Sequence, residues 1–194
     1  PEEGGNPIHK CIRYTDMSLR KFFETARRQP WFQNTLFVLT SDHTNWTDHA
    51  EYQTDLGVFG APILFYDPSG TLQSGRRHAI AQQIDIMPTV LGYLGYEQSY
   101  VAFGSNLLAT PDSQTWAVSY LNGIYQYVED GHVLQFDGEK STALYNIRED
   151  WLMRQNLVAS EELQPVKVRM ERRVKAIIQS YMERMNGNQL RMEN

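Results

Sequence analysis

The sequence has 194 residues, 41% of them hydrophobic and 21% charged, with a formal net charge of -5. That length fills one α/β domain or most of one, and the acidic balance argues against a nucleic-acid-binding surface, which is usually basic. A single cysteine, Cys11, excludes an internal disulfide framework and a cysteine-rich zinc site.

In chain order, residues 1–6 are polar and glycine-rich and read as a loop. From Ile8 to Ala26, apolar residues recur at mostly helical spacing and predict an amphipathic helix that ends before Pro30. Arg27 and Arg28 sit at its solvated end, where positive charge suits the helix dipole. Cys11, among apolar residues of this helix, is expected to be buried. Thr35–Thr40 is a continuous apolar run of the kind buried on both faces of a parallel sheet. Gly60–Tyr66 is a second such run, closed by the turn Asp67-Pro68-Ser69-Gly70. Ala79–Leu94 has helical spacing, with Ile80, Ile84, Met87, Leu91 and Leu94 on one side. Pro88 implies a break or a restart there, with Asp85 or a neighbour capping the new turn.

The character then changes. Trp116–Leu121, Ile124–Val128, His132–Phe136 and Ala143–Ile147 are short and β-rich. They are separated by Asn122-Gly123, Asp130-Gly131 and Asp137-Gly138, of which the last two favour hairpins. Glu161–Met185 is helical, and its stripe Leu163, Val166, Met170, Val174, Ile177, Ile178 and Tyr181 suits docking onto a core. Gly187 marks its stop, and the residues beyond are expected to fray. The fold class is α/β: a mainly parallel sheet flanked by helices over residues 1–110, then a small antiparallel sheet with a terminal helix over 111–194. No apolar run approaches the ~18 residues of a membrane span, and no signal peptide is visible. The first residue is Pro rather than Met, so the chain reads as a piece of a longer product.

The informative residues are Ser41-Asp42-His43. They follow the most apolar strand, and open α/β sheets bind ligands at strand C-terminal ends. A carboxylate beside an imidazole suits a divalent metal such as Mn²⁺ or Zn²⁺. Adjacent ligands reach one ion only where the backbone turns sharply. An Asp-His pair after a strand is equally the signature of a loop cap and a surface histidine, and spacing alone leaves both readings open. His49 is a candidate second ligand or substrate contact, and Trp46 a candidate stacking residue; each has a plain reading as a solvated loop residue. Asp48 is read the same way. Asp85 reads as a cap, and Arg76, Arg77 and His78 as a solvated basic turn or a cluster that meets an anionic substrate. His9 and His132 have no partner visible in the sequence.

Thr35–His43 resembles the late metal-binding strand of the alkaline phosphatase/sulfatase superfamily, where an aliphatic strand leads into Ser-Asp-His-Gly. Gln83–Gly95 is similar to that family's Asp-x-x-Pro-Thr-x-Leu segment. Ala143–Leu157 resembles its closing Leu-Tyr-Asp-Leu…Asn-Leu stretch. The three occur in the family's order. Tyr14-Thr15-Asp16 in the preceding helix most resembles the membrane-anchored, lipoteichoic-acid-synthase-like branch.

The resemblance implies a metal-dependent hydrolase or transferase acting on sulfate or phosphate esters, including lipid-linked ones. Asp42 and His43 match the late metal-ligand positions. The nucleophile and an earlier acidic ligand are expected upstream, so none of the residues here is assigned as the nucleophile and the chain alone is expected to be inactive. An imidazole at His43 favours Mn²⁺ or Zn²⁺ over Ca²⁺, which prefers oxygen ligands. The resemblance also implies a bacterial parent anchored in the inner membrane through its N-terminal part, with this part outside the cytoplasm. One departure stands out: Thr44 replaces the family's usual Gly, and a β-branched residue disfavours positive φ. The rival reading is a non-catalytic binding or structural module that keeps the fold.

Overall fold

A computed structural model describes residues 8–44 and 47–191. The opening loop, Trp46 and the last three residues lie outside the described residues. Helix α1 (Ile8–Ala26) has the expected bounds. Only Ala26 in it is buried, and Cys11 is exposed rather than packed. The reason is that α1 contacts its neighbours through its C-terminal end. There Phe23 meets Phe37 at 5.1 Å and Tyr66 at 5.7 Å between ring centroids, and Phe32 joins Phe37 at 5.5 Å. Aromatic pairs at such separations each contribute about 0.5–1.5 kcal/mol beyond their buried area.

Strands β1 (Phe37–Thr40) and β2 (Ile63–Tyr66) form a two-stranded sheet. Among the described residues they run antiparallel, from Phe37 opposite Tyr66 to Thr40 opposite Ile63, and not as parallel neighbours. A parallel pair needs a crossover, usually a helix, to carry the chain back to the starting edge. Among its described residues, the segment from Ser41 to Pro62 contains only two short 3-10 turns, Ala50–Gln53 and Gly57–Phe59. It therefore turns back at the end it left. Nor are both strand faces buried: Leu64 is 53% exposed, and Leu39 and Leu64 line an open cleft with Arg20 and Phe23 of α1 and with Arg27 just beyond its end.

The segment read as one helix over Ala79–Leu94 starts later. Residues 79–82 have no regular structure. A 3-10 turn at Gln83–Asp85 leads into α2 (Ile86–Tyr93). Pro88 does not break this helix; it falls in the first turn, where the backbone N–H has no intrahelical partner to lose. The buried residues are Asp85, Pro88 and Thr89, whereas Ile84, Met87 and Leu94 are exposed, so the expected apolar stripe is not the packed face. A polar network holds the turn instead. Asp85 is 2% exposed. Its carboxylate accepts N–H bonds from Gln82 at 2.9 Å and Ser105 at 2.7 Å, and it acts as the capping residue the sequence suggests. Thr89 Oγ1 donates to the Asp85 carbonyl at 2.6 Å and accepts the Leu107 N–H at 2.9 Å.

Gly104 makes this possible: a Cβ there would overlap the Ile84 carbonyl oxygen. Gly104→Ala is therefore expected to destabilise by about 1–3 kcal/mol, as overpacking does. A urea melt whose midpoint equals that of the parent would contradict the close approach.

Strands β3 (Trp116–Leu121), β4 (Ile124–Glu129), β5 (His132–Phe136) and β6 (Ser141–Asn146) form an antiparallel meander. Asn122-Gly123 and Asp130-Gly131 are two-residue hairpin turns with positive φ at both positions. That geometry matches strand twist and explains the Asn-Gly and Asp-Gly pairs. At Asp137-Gly138 the loop is longer, and Asp137 Oδ1 accepts the N–H groups of Glu139 and Lys140, each at 2.8 Å. Helix α3 (Gln164–Asn186) lies on this sheet. Met170 and Val174 of its stripe pack with Tyr127, Leu134, Phe136 and Leu144 in the buried core. Glu129, 6% exposed, ties the two layers together. It accepts from Arg169 Nε at 3.2 Å, from Arg173, and from the Tyr127 hydroxyl at 2.8 Å. Burial, then this bond to Glu129, pushes the Tyr127 hydroxyl pKa up.

Candidate metal centre

β1 ends at Thr40 and releases Ser41-Asp42-His43 at its C-terminal end. Both candidate ligands are exposed, and their side chains point together: His43 Nε2 lies 3.4 Å from Asp42 Oδ2. Two further bonds orient them. Asp42 Oδ1 accepts the His43 N–H at 2.9 Å, which turns Oδ2 toward the ring. His43 Nδ1 lies 2.6 Å from the Thr44 carbonyl; because a carbonyl only accepts, Nδ1 carries the proton. In the neutral ring Nε2 then presents a lone pair to a carboxylate oxygen. Two acceptors facing one another repel unless a proton or a cation lies between them. Donors about 2.0–2.2 Å from a tetrahedral Zn²⁺ are about 3.4 Å apart, so the pair fits two corners of such a site. A second bond that fixes the tautomer is also what metal-binding histidines commonly have.

Thr44 resolves the departure noted in the sequence. It is not among the described residues with positive φ, so the loop takes a path open to a β-branched residue. Its N–H and its hydroxyl both reach the Val58 carbonyl, at 3.3 and 2.8 Å, and this pins the chain just after His43. On the other side, Gln83 Nε2 donates to the carbonyls of Ser41 and Asp42, at 2.7 and 2.9 Å. Nothing in the sequence marked Gln83 beyond its place two residues before Asp85.

Among the described residues no third His, Cys, Asp or Glu joins the pair into a metal-binding group. His49 stands apart: its side chain is 74% exposed, its Nδ1 is 3.6 Å from Glu51, and its N–H donates to Thr47 Oγ1. Trp46 lies outside the described residues. The loop is tied to the meander by Asp55, whose carbonyl accepts from Gln126 Nε2 at 2.8 Å and whose carboxylate accepts from Gln135 Nε2 at 3.0 Å. Beside this contact a cleft of about 330 Å³ is lined by Gln53, Thr54, Asp55, Tyr145 and Arg154. Arg77 is a structural tie: its guanidinium reaches the carbonyls of Leu107 and Thr110 and the Asp112 carboxylate. That contact holds the Asp112 pKa below its ordinary value.

Residues 6–96 match the sulfatase family model. The matched stretch, just under half of the chain, contains β1, the Asp42-His43 loop, β2 and α2. Lipoteichoic acid synthase 1 of Bacillus subtilis is 24% identical over 179 residues, which are 85% of this chain and 26% of that protein. A structure from Vibrio parahaemolyticus described as an alkaline phosphatase superfamily protein superposes with a TM-score of 0.72 at 19% identity. The match covers 94% of this chain and 42% of that one. The phosphonate monoester hydrolase of Agrobacterium radiobacter gives 0.62 at 16% identity, over 87% of this chain and 40% of that one. The chain therefore shares the α/β fold of these structures, and it spans about a quarter of the length of the synthase.

Proposed function

We propose that this chain is the C-terminal part of a metal-dependent sulfatase-type hydrolase or transferase, and that Asp42 and His43 are its late metal ligands. The observation that carries the reading is the convergence of His43 Nε2 and Asp42 Oδ2 to 3.4 Å at the end of β1. The donor set favours Mn²⁺ or Zn²⁺ over Ca²⁺. Such an ion supplies Lewis acidity toward a sulfate or phosphate ester oxygen. The chain's own residues do the holding. Asp42 contributes negative charge, the Thr44 carbonyl fixes the His43 tautomer, and Val58 anchors the loop.

The substrate is a small or lipid-linked anionic ester, a class supported by the likeness to a lipoteichoic acid synthase and a phosphonate monoester hydrolase. The nucleophile and an earlier acidic ligand come from a preceding part of the protein. The isolated chain is therefore inactive. His49 and Trp46 are the substrate-contact candidates that the sequence offers. Residues 1–110 complete the catalytic domain, and residues 111–194 are a sheet-and-helix unit packed beside it. The bacterial parent is anchored in the inner membrane with this part outside the cytoplasm; among the described residues no helix is long and apolar enough to cross a membrane.

One observation favours a second reading, a binding or structural module without chemistry: among the described residues the pair has no third ligand. Calorimetric titration of the full-length protein with Mn²⁺ and Zn²⁺ separates the two. Asp42→Ala and His43→Ala should each weaken binding by more than the ~10–100-fold typical of an outer contact. Equal stoichiometry and affinity in all three proteins would remove the ligand assignment.

A further inference from the structure

Successive side chains of an extended strand point to opposite faces, so Asp42 and His43 converge only because the backbone turns between β1 and the loop. Gln83 records that turn. Successive carbonyls of extended chain also point apart, yet one nitrogen, Gln83 Nε2, bonds the carbonyls of both Ser41 and Asp42, at 2.7 and 2.9 Å. Both protons of the amide are committed to them. The base from which Gln83 reaches is fixed on two sides. Its neighbour Gln82 is stitched to β3, with Nε2 donating to the Trp116 carbonyl at 3.2 Å and Oε1 accepting the Val118 N–H at 3.1 Å. Two residues on, the buried Asp85 holds the N–H groups of Gln82 and Ser105. Gln83 thus connects an immobilised turn to an exposed loop.

We propose that Gln83 is a positioning residue for the metal centre. It clamps the two peptide units that flank Asp42 in the orientation that lets the carboxylate and the imidazole share one ion. The proposal rests on the reading of Asp42 and His43 as ligands. It also accounts for how exposed ligands in a loop reach a fixed separation: Thr44 pins the chain after them and Gln83 pins the chain before them.

The test uses the full-length protein, with Mn²⁺ alone as the probe, in Gln83→Ala and Gln83→Glu variants. The second keeps the side chain's length but replaces both donors with acceptors. Both variants should raise the Mn²⁺ dissociation constant about 10–100-fold, the usual effect of losing an outer-shell contact. In metal-free protein, both should speed amide hydrogen exchange across residues 41–44, while exchange in the meander stays as in the parent. Gln83 is exposed, so neither variant should unfold the chain. Parent affinity in either variant, or unchanged exchange across 41–44, overturns the proposal. Asp42→Ala and His43→Ala distinguish the two levels. If they bind Mn²⁺ as the parent does, the ligand reading fails and Gln83 has no ligands to position. If they lose Mn²⁺ while the Gln83 variants retain it, the ligands stand and the role of Gln83 alone falls.

Discussion

Replacing Arg169 and Arg173 together by alanine is expected to destabilise the folded chain by about 3–5 kcal/mol, the cost of a buried charge left without its partners. The asymmetry of burial sets the ordering. Glu129 has a side chain only 7% exposed, whereas Arg169 and Arg173 are 44% and 53% exposed. Removing the arginines strands a carboxylate inside the protein with the Tyr127 hydroxyl as its remaining donor. Removing the charge on Glu129 instead leaves two guanidinium groups that water can reach. Glu129→Gln keeps an acceptor for Tyr127 and should cost only about 1–2 kcal/mol. For a chain of this size 1 kcal/mol moves the melting temperature by roughly 2–4 °C, so thermal melts resolve the two variants. If Glu129→Gln proves the more damaging, the burial argument is wrong and the arginines hold α3 by packing alone.

Asp85→Ala is expected to destabilise by roughly 2–4 kcal/mol, because the N–H groups of Gln82 and Ser105 lose their acceptor and each orphaned buried donor costs about 1–3 kcal/mol. The same burial that makes those bonds matter also penalises the charge, and that offsets part of the loss. Burial raises the Asp85 pKa above its ordinary 3.8, against the lowering effect of the Ser105 and Gln82 bonds. A carboxyl with a higher pKa folded than unfolded binds more protons in the folded state between the two values. Its contribution is therefore fully present below pH 3.8 and is lost as pH rises through the raised value. Asp85→Asn, which cannot titrate, should lack this falling limb in a profile of stability against pH. An unchanged limb would assign it to another group.

Much of the fold was legible because local rules and tertiary packing agree there. The strands of the meander follow from their turn residues: Asn122-Gly123 and Asp130-Gly131 need positive φ at both positions, and that requirement fixes which residues pair. The stripe on α3 gave its buried face because Met170 and Val174 recur at helical spacing. The sulfatase-type strand and the Asp42-His43 pair were visible as a motif. The misreadings share a physical cause. Cys11, Leu64 and the stripe through Ile84 and Met87 are apolar positions whose burial depends on what lies across from them, and a period says nothing of that. The antiparallel pairing of β1 and β2 depended on where a loop turns back. The part of Gln83, and the contacts by which Thr44 pins its loop, were silent because they are made to backbone carbonyls, which no side-chain pattern reports.

The rung at which Thr40 faces Ile63 has an evolutionary corollary. The segment between those two residues leaves and rejoins the sheet at this one rung, so lengthening it need disturb neither strand. Each doubling of a flexible loop adds only about 0.6 kcal/mol of closure entropy. Insertions there come cheap, while the dipeptide at its root stays put.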